Sequence, residues 1–419
     1  MSDHAIQTKP ADDPAFQLPS TLSRLTFPLI LGGLVALVGG IAIGYFGVNA
    51  TFGLSVYLTA LMYAITISIG CLFFVLIQHL SRAGWSVVVR RVAELMMIMI
   101  VPLAILFIPI LASLAGEGTL YKWDDPSYST DLGVSADIWL EKTRWLQPGW
   151  FVFRSILYFA IWVGLSVWYF RGSRTQDETG EKTLTEKMQA RSGPAVILFA
   201  FCTSFAAFDW LMSLAPLWFS TMFGVYMFTG GILSAHCAIA LLTYVLQKRG
   251  AMRDEVTVEH YHDLGKLIFG FICFWGYIAF SQYMLIWYAN IPEETHWFYE
   301  RSQGPFLTLS AILIVFHFAV PFFAIMSRHV RRRPFWVAMV AAYVLVLHFL
   351  DLYWVVMPEA DHAHAGLGVG GAAGVTASLL SVVGMVLLML GMMLFVASQT
   401  KLMPVRDPRL EESLAFHNI

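Results

Sequence analysis

Ten uninterrupted apolar stretches decide what this chain can become. They run over residues 27–47, 53–80, 93–115, 148–170, 193–213, 217–247, 267–290, 302–327, 334–357 and 373–398. A helix needs about 20 apolar residues to cross roughly 30 Å of hydrocarbon, and each stretch supplies them. A membrane β-barrel would need short strands that alternate polar with apolar residues. These runs are long and continuous, so the sequence predicts an all-α integral membrane protein with ten transmembrane helices. Only 13% of the 419 residues are charged and 58% are hydrophobic, whereas soluble domains carry about 25% charged residues. The net charge of −2 gives no footing for nucleic-acid binding.

The lysines and arginines set the expected orientation. With the N-terminus in the cytoplasm, the inner segments hold 21 basic residues. The outer loops hold four: Lys122, Lys142, Arg144 and Arg301. Both termini are therefore expected inside. The first 26 residues are polar and lack the apolar core of a cleaved leader, so insertion is expected to rely on the first span. The outer loops are acidic. The longest, "GEGTLYKWDDPSYSTDLGVSADIWLEKTRW", has room to dock an extramembrane partner and reads equally as a solvated loop.

Two segments match in a telling way. "FDWLMSLAP" (208–216) and "LDLYWVVMP" (350–358) each place a proline seven residues after an aspartate. They close the fifth and ninth spans on the outer side, four helices apart. Two four-helix units repeated in parallel would give this pattern, as in other membrane bundles. The expected organisation is a tail (1–26), a peripheral helix (27–47), a first bundle (53–213), a second bundle (217–358), a peripheral helix (373–398) and a tail (399–419).

Charges inside the spans are few: Glu94, Arg154, Asp209 and Asp351, with the deeper histidines His236, His317 and His348. A charge at mid-bilayer costs about 2.5–3.5 kcal/mol on insertion scales, so such groups face a bundle interior and have partners. Asp209 lies roughly 6 Å from the outer end of its span, at 1.5 Å per residue. It sits near a helix C-terminus, where the dipole opposes a negative charge. Snorkelling to the headgroups is one answer. Pairing with Arg154, at similar depth on the preceding span, is the other. His348 and Asp351, three apart, share a helical face, where the carboxylate would fix the imidazole tautomer. Glu94, His236, His317, His348 and Asp351 form a candidate proton ladder, with Ser281 and Tyr283 as hydroxyls to bridge its gaps. Satisfied hydrogen bonds between helices are the alternative use of the same groups.

Other chemistries find less support. Cys71, Cys202, Cys237 and Cys273 lie apart in apolar runs, without a Cys-x-x-Cys pair or a haem-attachment motif. Nothing in the histidine spacing demands haem b. "EHYHDLGK" (259–266) offers His260 and His262 but no further metal ligands, and reads as a helix entry. Trp210, Trp218, Trp287, Trp297 and Trp354 at the outer ends suggest an interfacial belt, against which a quinone headgroup could also lie.

At these residues a family comes into view. "FDWLMSLAPLWFSTMFGVYMFTGG" (208–231) and "HDLGKLIFGFICFWGYIAFSQYMLIWYANIPEET" (262–295) resemble the ActF-type membrane subunit of bacterial alternative complex III. The ten-span pattern extends the likeness to the wider NrfD/PsrC-like family. The resemblance implies a multi-pass subunit of the bacterial inner membrane in a quinol:electron-acceptor oxidoreductase. Multihaem and iron–sulfur partner subunits would carry the electrons towards cytochrome c or a terminal oxidase. An ActC-like partner would oxidise the quinol. This chain would hold no redox metal, would not catalyse alone, and would conduct or couple protons. A proton-coupled secondary transporter and a purely structural scaffold are the other readings.

Overall fold

The computed structural model describes residues 10, 12–116, 120–125, 136–361 and 370–418. Among them there is no strand, and ten helices are long and apolar enough to cross a bilayer. We number these α1 (Thr26–Gly47), α2 (Ala50–Leu80), α3 (Val87–Gly116), α4 (Pro148–Thr179) and α5 (Lys182–Trp210), then α6 (Met222–Lys248), α7 (Val258–Ala289), α8 (Gly304–Met326), α9 (Pro334–Asp361) and α10 (Gly371–Ala397). The protein is thus an all-helical chain of multi-pass membrane character.

Several helices outrun their apolar stretches. α4 and α5 continue for two or more turns beyond 148–170 and 193–213. They meet at Gly180, whose left-handed φ of 71° ends α4. Pro148 opens α4, where a missing N–H costs nothing. α7 starts early as well. The Thr257 side chain accepts from Glu259 N–H, and His260 accepts the Thr257 N–H at 3.0 Å, which caps the first turn. α7 ends at Asn290, with φ 50°.

α2 and α6 form the enclosed centre, flanked by α3, α5, α7 and α9. They cross at glycines. A Cβ on Gly70 would stand 2.4 Å from the Gly231 carbonyl, and one on Gly231 would stand 3.0 Å from the carbonyl of Thr66. Thr66 and Gly70 of α2 meet Gly231 and Ala235 of α6 in rising order, so the two helices run parallel. α1 packs along α10, and both lie against α2. The α1–α10 seam brings backbone to backbone: a Cβ on Gly384 would be 2.3 Å from Leu37 N. Seen from the side chains, α1 is mostly outward-facing, with Phe27, Leu31, Val35 and Phe46 exposed.

α8 is irregular at its middle. Leu313–Ala319 is π-helical, and the N–H of Val320 reaches back five residues to Val315. Pro321 has no N–H for the His317 carbonyl four residues earlier, which favours the wider turn.

The matched Asp-x6-Pro segments end differently. Asp209 is the last residue but one of α5, and Pro216 lies beyond the helix. Asp351 lies well inside α9, and Pro358 is within it. Both segments lie at the end of their spans, the second within the last turns of its helix. Pro358 leaves the Trp354 carbonyl without its helical donor, and Arg301 supplies one from outside the helix, from Nε at 3.2 Å. α9 then continues to Asp361.

Of the long acidic-face loop, residues 117–119 and 126–135 lie outside the described residues. The described part folds back over the helix ends. Tyr121 donates to the Trp210 carbonyl at 3.1 Å, and Lys142 donates to the Pro216 carbonyl at 2.7 Å.

Candidate functional site

In the first quartet of helices, α2–α5, the buried aspartate is fully engaged. Arg154 Nε and Nη2 donate to the two oxygens of Asp209 at 2.7 and 2.9 Å. The Tyr158 hydroxyl adds a bond at 2.7 Å and the Trp145 indole another at 2.9 Å. Asp209 is fully buried, so it does not snorkel. The short helix Ala136–Trp145 supplies Trp145, whose ring lies 4.3 Å beneath the guanidinium and whose carbonyl accepts from Nη1 at 2.8 Å. A bidentate pair with every lone pair used has the geometry in which a buried pair survives its desolvation cost.

In the second quartet, α6–α9, the buried aspartate has no such cation. Asp351 accepts from the Tyr226 hydroxyl of α6 through a short contact and from the Trp275 indole of α7 at 3.3 Å. No lysine or arginine pairs with it among the described residues. His348 does not bond Asp351, which corrects the expectation that the carboxylate fixes its tautomer. Its partner is Thr66 of α2, whose hydroxyl lies 2.9 Å from His348 Nε2 and 3.1 Å from the Tyr63 carbonyl. That leaves Nδ1 bare, buried and without a partner. It faces Gly230 of α6, where a Cβ would stand 3.4 Å from Nδ1 and 3.7 Å from Asp351 Oδ2.

His317 joins this cluster through Trp275. The two rings meet edge to face with centroids 4.3 Å apart, and the same indole donates to Asp351. His317 is fully buried, and neither ring nitrogen has a partner. Its carbonyl lies in the π-helical turn of α8. Five helices thus converge: Thr66 and Tyr63 from α2, Tyr226 and Gly230 from α6, Trp275 from α7, His317 from α8, and His348 with Asp351 from α9. Charge-free polar contacts hold the carboxylate; the unpartnered Nδ1 of His348 shares the Gly230 gap with it, and His317 connects to it through Trp275.

The rest of the ladder is placed differently from the expectation. His236 bonds its own helix, Nδ1 to the Ile232 carbonyl at 2.8 Å, and lies between Phe74 and Phe271. Tyr283 points out of the bundle, 44% exposed, with its ring against Phe298, and so is not an interior hydroxyl. Ser281 is half-buried. The inward polar group of that turn is Gln282, whose amide nitrogen is buried without a partner. Glu94 is bracketed by Arg90 and Arg91, at 3.3 and 2.9 Å, rather than standing alone at the end of a path.

The interfacial tryptophan belt is also corrected. Trp210, Trp218 and Trp297 are buried, and Trp354 is half-buried. Among the five, only Trp287 is exposed. Trp218 stacks on Trp297 with centroids 4.3 Å apart. Arg301 lies over Trp297 at 3.5 Å and donates to its carbonyl at 3.0 Å. It also donates to the carbonyls of Trp354 and Val355, at 3.2 and 2.8 Å. Burial pushes the Arg301 guanidinium down to about 10, with Glu359 and Glu300 pulling the other way. Arg301 was invisible as an interior group in the sequence because it sits in a charged loop.

The histidines do not suit haem. Thr66 holds one ring and Trp275 covers another, whereas axial ligation needs two opposed rings turned to one macrocycle. His260 spends both nitrogens, one on the Thr257 cap and one on the Ser413 carbonyl at 3.0 Å, which removes it as a metal ligand. No group of three or more metal-ligating side chains occurs among the described residues. Compared with known proteins, the chain matches no family model and no curated protein.

Proposed function

We propose that this chain is a non-catalytic membrane subunit of a respiratory quinol oxidoreductase of the alternative complex III kind, and that its second helix quartet carries a proton path. The observation that supports the path is the state of Asp351. It lies in the interior of the helix bundle with no lysine or arginine paired to it among the described residues, across the Gly230 gap from the unpartnered Nδ1 of His348. Ionisable groups of that kind at membrane depth suit proton relay. Asp209, by contrast, is locked by Arg154 and serves as a helix clamp.

The parallel repeat belongs to the same reading. α2 and α6, the first helices of the two quartets, pack parallel at Gly70 and Gly231. At the start of α4 and again ahead of α8, an arginine lies over a tryptophan of a short preceding helix and donates to that tryptophan's own carbonyl. Each arginine then reaches the fourth helix of its quartet. In this proposal the face rich in lysine and arginine is cytoplasmic, the membrane is the bacterial inner membrane, and haem and iron–sulfur centres belong to partner subunits. The likeness of segments 208–231 and 262–295 to that family supplies the identity of the complex.

Two experiments test it. Proteins co-purifying with the chain in mild detergent should include multihaem and iron–sulfur subunits; transport activity of the chain alone in proteoliposomes would overturn the assignment. Asp351→Asn should assemble normally and lose proton coupling. Unchanged coupling would leave the scaffold role, for which the saturated Arg154–Asp209 clamp is the specific support.

A further inference from the structure

At the basic face a second buried cluster has an odd charge count. Arg90, Arg91 and Glu94 come from α3, Asp177 from the extension of α4, and Asp407 from the segment after α10. All five are under a tenth exposed. Arg90 donates to Glu94 at 3.3 Å and, in a short contact, to Asp407. Arg91 bridges two carboxylates, with Nε 2.9 Å from Glu94 and Nη2 2.6 Å from Asp177. Its Nη2 also donates to Ser173 at 3.0 Å. Two guanidiniums face three carboxylates. An uncompensated buried charge is far costlier than a paired one, so a sixth charge is missing from the count.

No lysine is seated inside the cluster among the described residues. Lys401 of the tail acts on Asp177 from a distance, with its ammonium 3.3 Å from the exposed Asp12 and itself partly exposed. His79 of α2 feels both Arg90 and Asp407, is buried, and has an unpartnered Nε2. Arg91 Nη1 is likewise buried without a hydrogen-bond partner.

We propose that this cluster is a proton-binding site, in which one proton is held by the Glu94 and Asp177 carboxyls that share Arg91. Two carboxylates pressed on one cation favour keeping a proton between them. Asp407 is the carboxylate that stays ionised. Burial alone would raise it, but Arg90 beside it and the Arg409 N–H, at 2.9 Å, hold it below the ordinary carboxylate range. The strap of residues 401–414 lies over the site, held by Asp407 on Arg90 and by Ser413 on the Trp85 carbonyl. The binding site rests on the proton-path reading only for where that proton goes next.

The test is infrared difference spectroscopy of the full chain in nanodiscs, which needs no transport. At neutral pH the wild type should show a neutral carboxylic-acid carbonyl band that shifts in heavy water. Asp351→Asn should leave this band in place, which separates it from the other interior carboxyl. Glu94→Gln and Asp177→Asn should each abolish it, because either change balances the cluster, and each should melt no lower than wild type. Arg91→Gln should melt well below wild type. A band that survives both carboxyl variants, or carboxyl variants that melt as low as Arg91→Gln, would overturn the proposal. If Asp351→Asn leaves coupling intact while the band behaves as stated, the path reading fails and the binding site stands.

Discussion

Arg301 gives the Trp354 carbonyl the hydrogen bond that Pro358 cannot, from Nε at 3.2 Å. The side chain thus acts as a piece of backbone for α9. Leaving such a carbonyl buried and unpaired costs about 1–3 kcal/mol. Arg301→Ala should therefore lower the melting temperature, and Arg301→Ala with Pro358→Ala should recover part of the loss by restoring an N–H in register. Thermal melts in detergent of the two single variants and the double one check this. A double variant no more stable than Arg301→Ala would show that the carbonyl is not the point of the contact.

The Arg154–Asp209 clamp predicts a similar rescue. Arg154→Leu strands a buried carboxylate, at a cost of about 3–5 kcal/mol. Adding Asp209→Asn removes the stranded charge; the amide oxygen accepts from Trp145, and the amide NH2 donates to the Tyr158 hydroxyl oxygen. The double variant should assemble better than Arg154→Leu alone, measured as folded yield and melting temperature.

On the proposed proton path, Gly230 leaves open the gap between His348 and Asp351. A methyl there would stand 3.3 Å from His348 Cε1 and 3.4 Å from Nδ1, filling the space between that nitrogen and Asp351. Gly230→Ala should cost about 1–3 kcal/mol of overpacking, keep assembly, and slow proton coupling several-fold. Coupling at wild-type rate in an assembled Gly230→Ala complex would place the proton route elsewhere.

Asp407 predicts an acid-dependent strap. Its carboxyl is held below the ordinary range only in the folded chain, where Arg90 faces it. Its contribution is complete above the unfolded value, near 3.9. It fades as pH falls through the lower folded value. A hydrogen bond to a charged group is worth about 1.5–3 kcal/mol. Asp407→Asn should melt lower than wild type at neutral pH, and the gap should close below about pH 4. Proteolysis of the 399–418 segment, followed over the same range, should lose its wild-type protection in parallel.

The sequence carried the ten helices because hydropathy over about 20 residues is a bulk property that neighbours do not alter. It also placed Arg154 opposite Asp209, since adjacent antiparallel spans at equal depth leave few choices. Partner choice between distant helices was not legible. Spacing put His348 and Asp351 on one face, but Thr66, Tyr226 and Trp275 came from three other helices and took both. Tyr283 and Gln282 could not be told apart, because α7 is apolar nearly all round and its inward side has no polar contrast. The tryptophans misled for a related reason: a ring at a span end suits lipid and protein equally. Arg90 and Arg91 precede the third apolar stretch, where they read as surface charges, and only the fold shows them buried.

The glycine-to-backbone seam between α1 and α10 has a consequence for biosynthesis. The earliest of the ten spans, α1, presents Gly33 and Gly40 as a bare groove, and the surface that fills it comes from the tenth. α1 must wait beside lipid while eight other helices are made and arranged. The bundle is then closed by a zipper whose second half arrives last, so a ribosome that stalls short of α10 leaves every earlier helix inserted and the outer seam open.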